Sequence, residues 1–142
     1  MSFPSPPQHP FQADWAGQIS LAGYDLAQSG RQITLTLYWR AGENAVSVPL
    51  KRFVHATDAA DAILAQSDAA LGAGGIPATL WRPGECVLDQ LTLQLPAGKQ
   101  AAHLYVGLYD PDTGERLPVQ LASGPPAEDG RAALPLGAAS AN

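Results

Sequence analysis

Residues 80–119 read LWRPGECVLDQLTLQLPAGKQAAHLYVGLYDPDTGERLPV. Turn sequences alternate in this stretch with short runs in which every second residue is apolar. Residues 81–85 and 110–114 are turn sequences, because each combines proline with glycine and an acidic residue. Residues 91–95 and 104–108 alternate leucine or valine with other side chains, which is typical of β-strands. The stretch therefore predicts antiparallel β-structure.

Residues 32–40 form the clearest strand pattern outside this stretch. Odd-numbered positions are apolar and even-numbered positions are polar or aromatic, so one side is expected to face the core and the other to be at least half exposed. Pro49 favours an edge position or a strand start for the segment around it. The remaining predicted strands lie at 18–26, 48–57, 87–95 and 102–109, with a return strand at 116–121 that pairs as a hairpin and a terminal strand at 131–136.

Residues 58–71 are compatible with two structures. The segment is rich in alanine, and Asp58 is a candidate helix N-cap. Its three large apolar residues form a poor helical stripe, however, which favours a turn at 58–61 followed by a short strand at 62–67. Residues 72–75, which include three glycines, then open a long loop.

Seven or eight short strands without a βαβ rhythm predict an all-β protein, an antiparallel β-sandwich. An immunoglobulin-like and a jelly-roll arrangement both fit this pattern. Residues 1–14 are proline-rich and lack periodicity, which predicts a flexible lead-in or linker. A single sandwich domain is then expected over 15–136, followed by a disordered tail at 137–142.

Composition argues against several classes of protein. The formal net charge is -5, and Lys51-Arg52 is the longest run of basic residues, so nucleic-acid binding is not expected. Cys86 is the single cysteine, which leaves no partner for an internal disulfide and favours a partly buried small hydrophobe. No apolar run has the length of a membrane span, and no signal-peptide pattern follows Met1, so the chain is expected to be soluble.

Groups suited to catalysis are sparse. Asp110, Asp112 and Glu115 cluster within the predicted hairpin turn, where aspartate usually caps backbone N–H groups; a weak calcium site is the alternative. Glu85 and Asp89 flank the cysteine and have the spacing of a carboxylate pair.

The histidines and the glycines match no catalytic or ligand-binding motif. His9, His55 and His103 lie far apart, and His55 is expected to be a half-buried structural residue. The sequence contains neither a nucleophile-elbow nor a nucleotide-binding glycine motif. It therefore predicts a chain that is not an enzyme and that holds no metal and no cofactor.

Aromatic residues are the remaining candidates for a binding site. Tyr38, Tyr105 and Tyr109 lie on the polar sides of their strands and, if those strands pair, share one exposed sheet face with His103. Such a face suits the stacking of sugar rings, whereas the alternative is that these are ordinary half-buried tyrosines. Trp81, next to Arg82, either plugs one end of the sandwich or contacts a ligand.

Five segments, taken in order along the chain, resemble a known family. They are Gly23-Tyr24-Asp25, Leu35-Thr36-Leu37-Tyr38-Trp39-Arg40, Phe53-Val54-His55, Leu80-Trp81-Arg82-Pro83-Gly84-Glu85, and Gly107-Leu108-Tyr109-Asp110-Pro111 continued by Arg116-Leu117-Pro118-Val119. Together they resemble the β-sandwich domain at the C-terminal, extracytoplasmic end of some bacterial multi-spanning membrane proteins. Those proteins include ones similar to membrane-embedded glycosyltransferases that use lipid-phosphate sugars. The resemblance covers about residues 17–121.

The resemblance implies a non-catalytic accessory module that acts in binding or assembly. Any glycosyltransferase activity would then reside in a separate membrane region. The chain departs from the family in having no membrane span and in carrying residues 59–62, Ala-Ala-Asp-Ala, where a glycine-containing turn is usual. The expected partner is a glycan or another protein. The expected location is extracytoplasmic if the domain belongs to a larger membrane protein, and cytoplasmic otherwise; the oligomeric state stays open.

The predicted facing of residues 32–40 is testable with two substitutions. Leu37→Asp should unfold the domain, because it buries an unpaired charge, whereas Thr36→Asp should change the melting temperature little. Thermal unfolding followed by circular dichroism measures both effects. Equal damage from the two substitutions would contradict the assigned facing.

Overall fold

The computed structural model describes residue 3 and residues 5–44, 46, 49–71, 78–121 and 130–136. This part of the chain forms nine strands and one short 3₁₀ turn, Ala78–Leu80. No helix in it is long and apolar enough to cross a membrane. The strands are β1 (His9–Trp15), β2 (Ile19–Ser29), β3 (Gln32–Ala41), β4 (Lys51–Thr57), β5 (Ile63–Ala70), β6 (Cys86–Gln94), β7 (His103–Tyr109), β8 (Val119–Leu121) and β9 (Ala132–Leu134).

The strands form two antiparallel sheets, which confirms the predicted all-β sandwich. The five-strand sheet has the order β6-β3-β2-β1-β8, and the four-strand sheet has the order β5-β4-β7-β9. In one sheet β2, β3 and β6 adjoin in the order of strands A, B and E of the immunoglobulin-like sandwich. In the other sheet β9, β7, β4 and β5 adjoin in the order of its strands G, F, C and C′. β1 and β8 extend the first sheet beyond that plan. Of the two predicted arrangements, the topology therefore follows the immunoglobulin-like one.

The core lies between the sheets and is built by period-two alternation. Leu35, Leu37 and Trp39 on β3 are fully buried, as the alternation predicts. The Trp39 ring meets the Trp15 ring of β1 edge-on, with 5.5 Å between the ring centroids. Burial of these large side chains is the main stabilising contribution of the interlayer.

The ambiguous segment is a strand, as the weak helical stripe indicates. Asp58 accepts hydrogen bonds from the backbone N–H groups of Ala60 and Ala62, both at 2.9 Å, and thereby closes a turn. Asp61 takes a positive φ of 69° within this turn. β5 then follows and pairs with β4 over its length. The glycine-rich loop at 72–75 and the tail at 137–142 lie outside the described residues.

The prediction of a flexible lead-in over 1–14 is wrong for its second half. His9–Trp15 is strand β1, which pairs with β2 on one side and with β8 on the other. Its register shifts between Pro10 and Ala13, but burial alternates along the strand, and Phe11, Ala13 and Trp15 are apolar between the polar Gln12 and Asp14. This short alternation follows a proline-rich stretch, which favoured the interpretation as a linker, and pairing with β2 and β8 makes the segment a strand.

The return strand after the turn at 110–114 does not form the predicted hairpin. A short ladder follows the turn, made by the Tyr109–Arg116 bridge and by the hydrogen bonds from the Asp110 N–H to the Glu115 carbonyl and from the Leu117 N–H to the Leu108 carbonyl. Pro118 follows, and β8 then pairs with β1 in the other sheet. Since proline has no N–H to donate, the ladder beside β7 ends there.

Pro49 was predicted to mark either an edge strand or a strand start, and in the structure it precedes the start of β4. β4 lies between β5 and β7, so it is an interior strand and not an edge strand. It begins at Lys51, two residues after Pro49. Interior strands tolerate proline only outside the hydrogen-bonded ladder, which is where Pro49 lies.

A buried ion pair joins the two sheets. Arg52 of β4 and Asp89 of β6 are 3% and 0% exposed, with 2.7 Å between Nε and Oδ2. Asp89 also accepts hydrogen bonds from a second guanidinium nitrogen and from the Trp39 indole N–H, both at 3.3 Å. The remaining Arg52 nitrogen donates to the carbonyl and the hydroxyl of Ser67 on β5. Both charges are therefore balanced and hydrogen-bonded inside the core.

Removing one charge of this pair should destabilise the fold. Asp89→Ala leaves the Arg52 guanidinium buried without a counter-charge, which is expected to cost about 3–5 kcal/mol of unfolding free energy. The double variant Arg52→Met with Asp89→Leu replaces both charges by apolar groups and should recover most of that loss. Urea unfolding measures the two effects. A double variant no more stable than Asp89→Ala would contradict this account.

Candidate functional site

The outer side of the four-strand sheet carries the densest set of aromatic and basic side chains. The strand register sets Phe53 opposite Gly107, and His55 opposite Tyr105, on the adjoining strands β4 and β7. The side chains of this surface, here called the aromatic face, are Phe53, His55, Asp68, His103, Tyr105, Tyr109, Arg116 and Arg131.

A shallow depression of about 280 Å³ lies at one end of the aromatic face. Its lining consists of Phe53, His55, Asp68, Tyr109, Gly114 and Arg116. The Phe53 ring reaches over the backbone of Gly107, where an added Cβ would collide with the ring and with the Gly130 carbonyl. Glycine is therefore required at 107 for the ring to lie flat against the sheet.

Two contacts fix the walls of the depression. The Tyr109 hydroxyl donates a hydrogen bond to Asp68 Oδ2 at 3.0 Å. Partial burial, and then this bond to a carboxylate, raise the pKa of Tyr109 above its ordinary value. The Arg116 guanidinium lies 4.4 Å from the centroid of the Phe53 ring, in the geometry of a cation–π contact.

A stacked platform occupies the other end of the aromatic face. The rings of His103 and Tyr105 stack, with their centroids 5.7 Å apart. The Arg131 guanidinium lies 3.7 Å from the Tyr105 ring centroid and donates to Asp61 Oδ2 at 3.0 Å. The bond from Arg131 holds the pKa of Asp61 below its ordinary value. The platform thus consists of an exposed His103 ring stacked on Tyr105, whose ring also carries the Arg131 guanidinium of a neutralised pair of charges.

His55 lies between these two ends and is 9% exposed. Its ring contacts Phe53, with 4.7 Å between the centroids. Burial lowers the pKa of His55; Asp68 opposes this shift, and the charges of Arg116 and Arg131 reinforce it. The neutral imidazole is therefore favoured, and the histidine that was expected to be half-buried lies almost fully buried beneath the aromatic face.

The structure separates Tyr38 from the other predicted ligand-binding tyrosines. Tyr38 belongs to the five-strand sheet, whereas Tyr105 and Tyr109 belong to β7 of the four-strand sheet, so the predicted shared face is wrong. Tyr38 is buried and donates a hydrogen bond to Asp25 Oδ2 at 2.6 Å, which raises its pKa. The error arose because period-two patterning reports the facing of a strand but not which strands are neighbours.

Trp81 and Arg82 also lie away from the aromatic face. Trp81 is partly buried against the core, in the turn that leads into β6. Arg82 is exposed, and its backbone N–H donates to Glu85 Oε1 at 2.9 Å. Of the six predicted ligand-binding residues, the structure therefore brings together His103, Tyr105 and Tyr109.

The carboxylate clusters have structural roles in the fold. Asp110 Oδ1 accepts a hydrogen bond from the Asp112 N–H at 2.9 Å, and Gly114 has the positive φ of 76° that the turn requires. The structure also separates the pair suggested by spacing, since Asp89 contacts Arg52 in the core and Glu85 caps the turn at 82. Among the described residues, no three His, Cys, Asp or Glu side chains come close enough to hold a metal ion.

The sequence predicted three of the eight residues of the aromatic face as binding residues and His55 as a structural one. Phe53, Asp68, Arg116 and Arg131 come from four segments that only the folded sheet brings together. One available signal was Gly107, because a glycine inside an otherwise apolar strand often marks the close approach of a side chain.

Comparison with known proteins does not assign the chain to a family. No protein-family model, no curated protein and no solved structure matches this chain.

The environment of His55 predicts a pH dependence of stability. Because its folded pKa is depressed, the unfolded state binds a proton more readily, and the free energy of unfolding should decrease as the pH falls below 6.5. The slope from this one group is at most about 1.4 kcal/mol per pH unit. Chemical unfolding at a series of pH values measures it.

Two matched variants separate His55 from the other histidines. His55→Gln should reduce the loss of stability on acidification, whereas His103→Gln, at an exposed position, should leave it unchanged. An unaltered pH slope in His55→Gln would contradict the assignment.

Proposed function

We propose that this chain is a non-catalytic β-sandwich binding module and that the aromatic face is its binding surface. The main observation behind the proposal is that a stacked pair of rings and an aromatic depression lie on the same side of one sheet. Asp68 and Asp61 accept hydrogen bonds from Tyr109 and Arg131, so they are held as oriented acceptors. A surface of this kind orients a ligand without supplying a reacting group.

The family resemblance supports an accessory role for this module. Two of the segments that carry the resemblance, at 53–55 and 107–111, adjoin in the structure and build the depression. In the proposal, the module lies outside the cytoplasm beside a membrane-embedded region, and any catalysis belongs to that region. The module then contributes by binding a ligand or by contacting a partner protein.

A carbohydrate is the ligand that the aromatic face suits best. Sugar rings present C–H groups that stack on flat aromatic rings, and their hydroxyls bond to carboxylates and guanidinium groups at the rim. The exposed His103 ring, held by its stack on Tyr105, offers the aromatic surface, and the Asp61–Arg131 pair beside Tyr105 offers the polar groups. Since that pair is already neutralised, an uncharged sugar is favoured over an anionic one.

Binding of neutral oligosaccharides tests this proposal. In a titration followed by NMR, the ring signals of His103, Tyr105 and Tyr109 should shift, and Tyr105→Ala should weaken binding about tenfold by removing the platform. Tyr38→Phe, in the other sheet, is the matched control and should bind as the unaltered chain does.

Two outcomes would contradict the proposal in different ways. No shift across a broad panel of neutral oligosaccharides would reject the carbohydrate ligand. Shifts confined to Tyr38 or Trp81 would place the binding surface away from the aromatic face.

A further inference from the structure

One side of the sandwich consists of two long edge strands. β5 ends the four-strand sheet and β6 ends the five-strand sheet; the two pack against each other and are linked in sequence through the 3₁₀ turn at 78–80. They contain eight and nine residues, whereas the edge strands of the opposite side, β8 and β9, contain three each. The side formed by β5, the 3₁₀ turn and β6 is here called the open side.

The edge of β5 has little protection against pairing beyond the charge of Asp68 and the register shift near Ile63. Neither β5 nor β6 contains a lysine, an arginine or a proline, which are the residues that commonly block edge-to-edge pairing. Within the described parts of the chain, the large hydrophobic side chains that are exposed all belong to it: Ile63 at 52%, Leu80 at 67% and Leu88 at 42%. The open side therefore contains both of the long edge strands and these three exposed apolar residues.

The hydrogen-bonding pattern shows which backbone groups of β5 point outward. The Leu71 N–H donates to the Leu50 carbonyl at 3.1 Å, so in the antiparallel ladder the odd-numbered residues of β5 bond to β4. The even-numbered residues Gln66, Asp68 and Ala70 therefore direct their N–H and C=O groups to the free edge. The register shift beside Ala56 leaves 65–70 as the regular part of this edge.

We propose that two copies of this chain associate through antiparallel pairing of their β5 edges. In a two-fold symmetric antiparallel pair, the numbers of any two opposed residues add up to the same total. Because only even-numbered residues have free backbone groups, the hydrogen-bonded pairs must join even-numbered residues of the two chains. Centring the axis on Asp68 sets two carboxylates against each other. Centring it on Ser67 instead sets Gln66 opposite Asp68 of the partner subunit, twice across the axis. The amide of each Gln66 then donates to a carboxylate, which selects this register.

This pairing has a consequence for the aromatic face. The two four-strand sheets become one continuous sheet, with their outer sides on the same surface. Because Asp68 lies both on the edge and in the wall of the depression, the two depressions flank the symmetry axis. A dimer of this kind therefore presents two copies of the aromatic face side by side, whatever ligand that face takes.

Sedimentation equilibrium of the full chain tests the proposal. The chain should dimerise reversibly, with a dimer dissociation constant below about 100 μM. Gln66→Glu sets like charges opposite each other twice and should raise the dimer dissociation constant about tenfold, whereas Gln66→Lys creates two opposite-charge pairs and should lower it. Gln66 is exposed, so neither substitution disturbs the core.

Gln28→Glu is the matched control, because it makes the same charge change at an exposed position of β2, two strands away from the nearer edge β6. It should leave the dissociation constant unchanged. A chain that is monomeric throughout the concentration range would overturn the proposal. A dimer that responds alike to Gln66→Glu and Gln28→Glu would also overturn it, since the interface would then lie elsewhere.

Discussion

The ion pair between Arg52 and Asp89 is the constraint on which the rest of the structure depends. It occupies inward-facing positions of two strands in different sheets, where apolar residues would otherwise be expected. A slip of β4 by one residue would turn Arg52 to the outside and would drive Phe53 and His55 into the core, leaving Asp89 buried without a counter-charge. The pair thus sets the facing of β4, and that facing creates the aromatic face.

The aromatic face depends on the absence of a side chain as much as on the rings present. Phe53 and His55 are buried although they lie on the outer side of the sheet, because the residues around Gly114, Arg116 and Gly130 cover them. Gly107 leaves the space into which the Phe53 ring folds. The turn at 110–114 therefore both reverses the chain and forms one rim of the depression.

The five-strand sheet holds the N-terminal segment in place through residues 23–25. Asp25 accepts hydrogen bonds from the Tyr38 hydroxyl and from the Gln8 N–H, at 2.6 and 2.7 Å, and so fastens the N-terminal segment across β2 and β3. Gly23 is needed beside it, since a Cβ there would meet the His9 carbonyl and the Pro7 ring. These residues secure the segment that the sequence suggested was a loose linker.

The sequence by itself determined the fold class, most of the strands and the facing of β3, β6 and β7, because alternation of apolar residues is a local property that needs no knowledge of neighbours. It also determined the turn at 110–114, since aspartate, proline and glycine act within a few residues. Only the tertiary structure decided which strands adjoin, and therefore that Tyr38 is separated from Tyr105 and that Arg52 meets Asp89. These contacts join residues far apart in the chain, and their energies depend on burial and on partners that no local pattern contains.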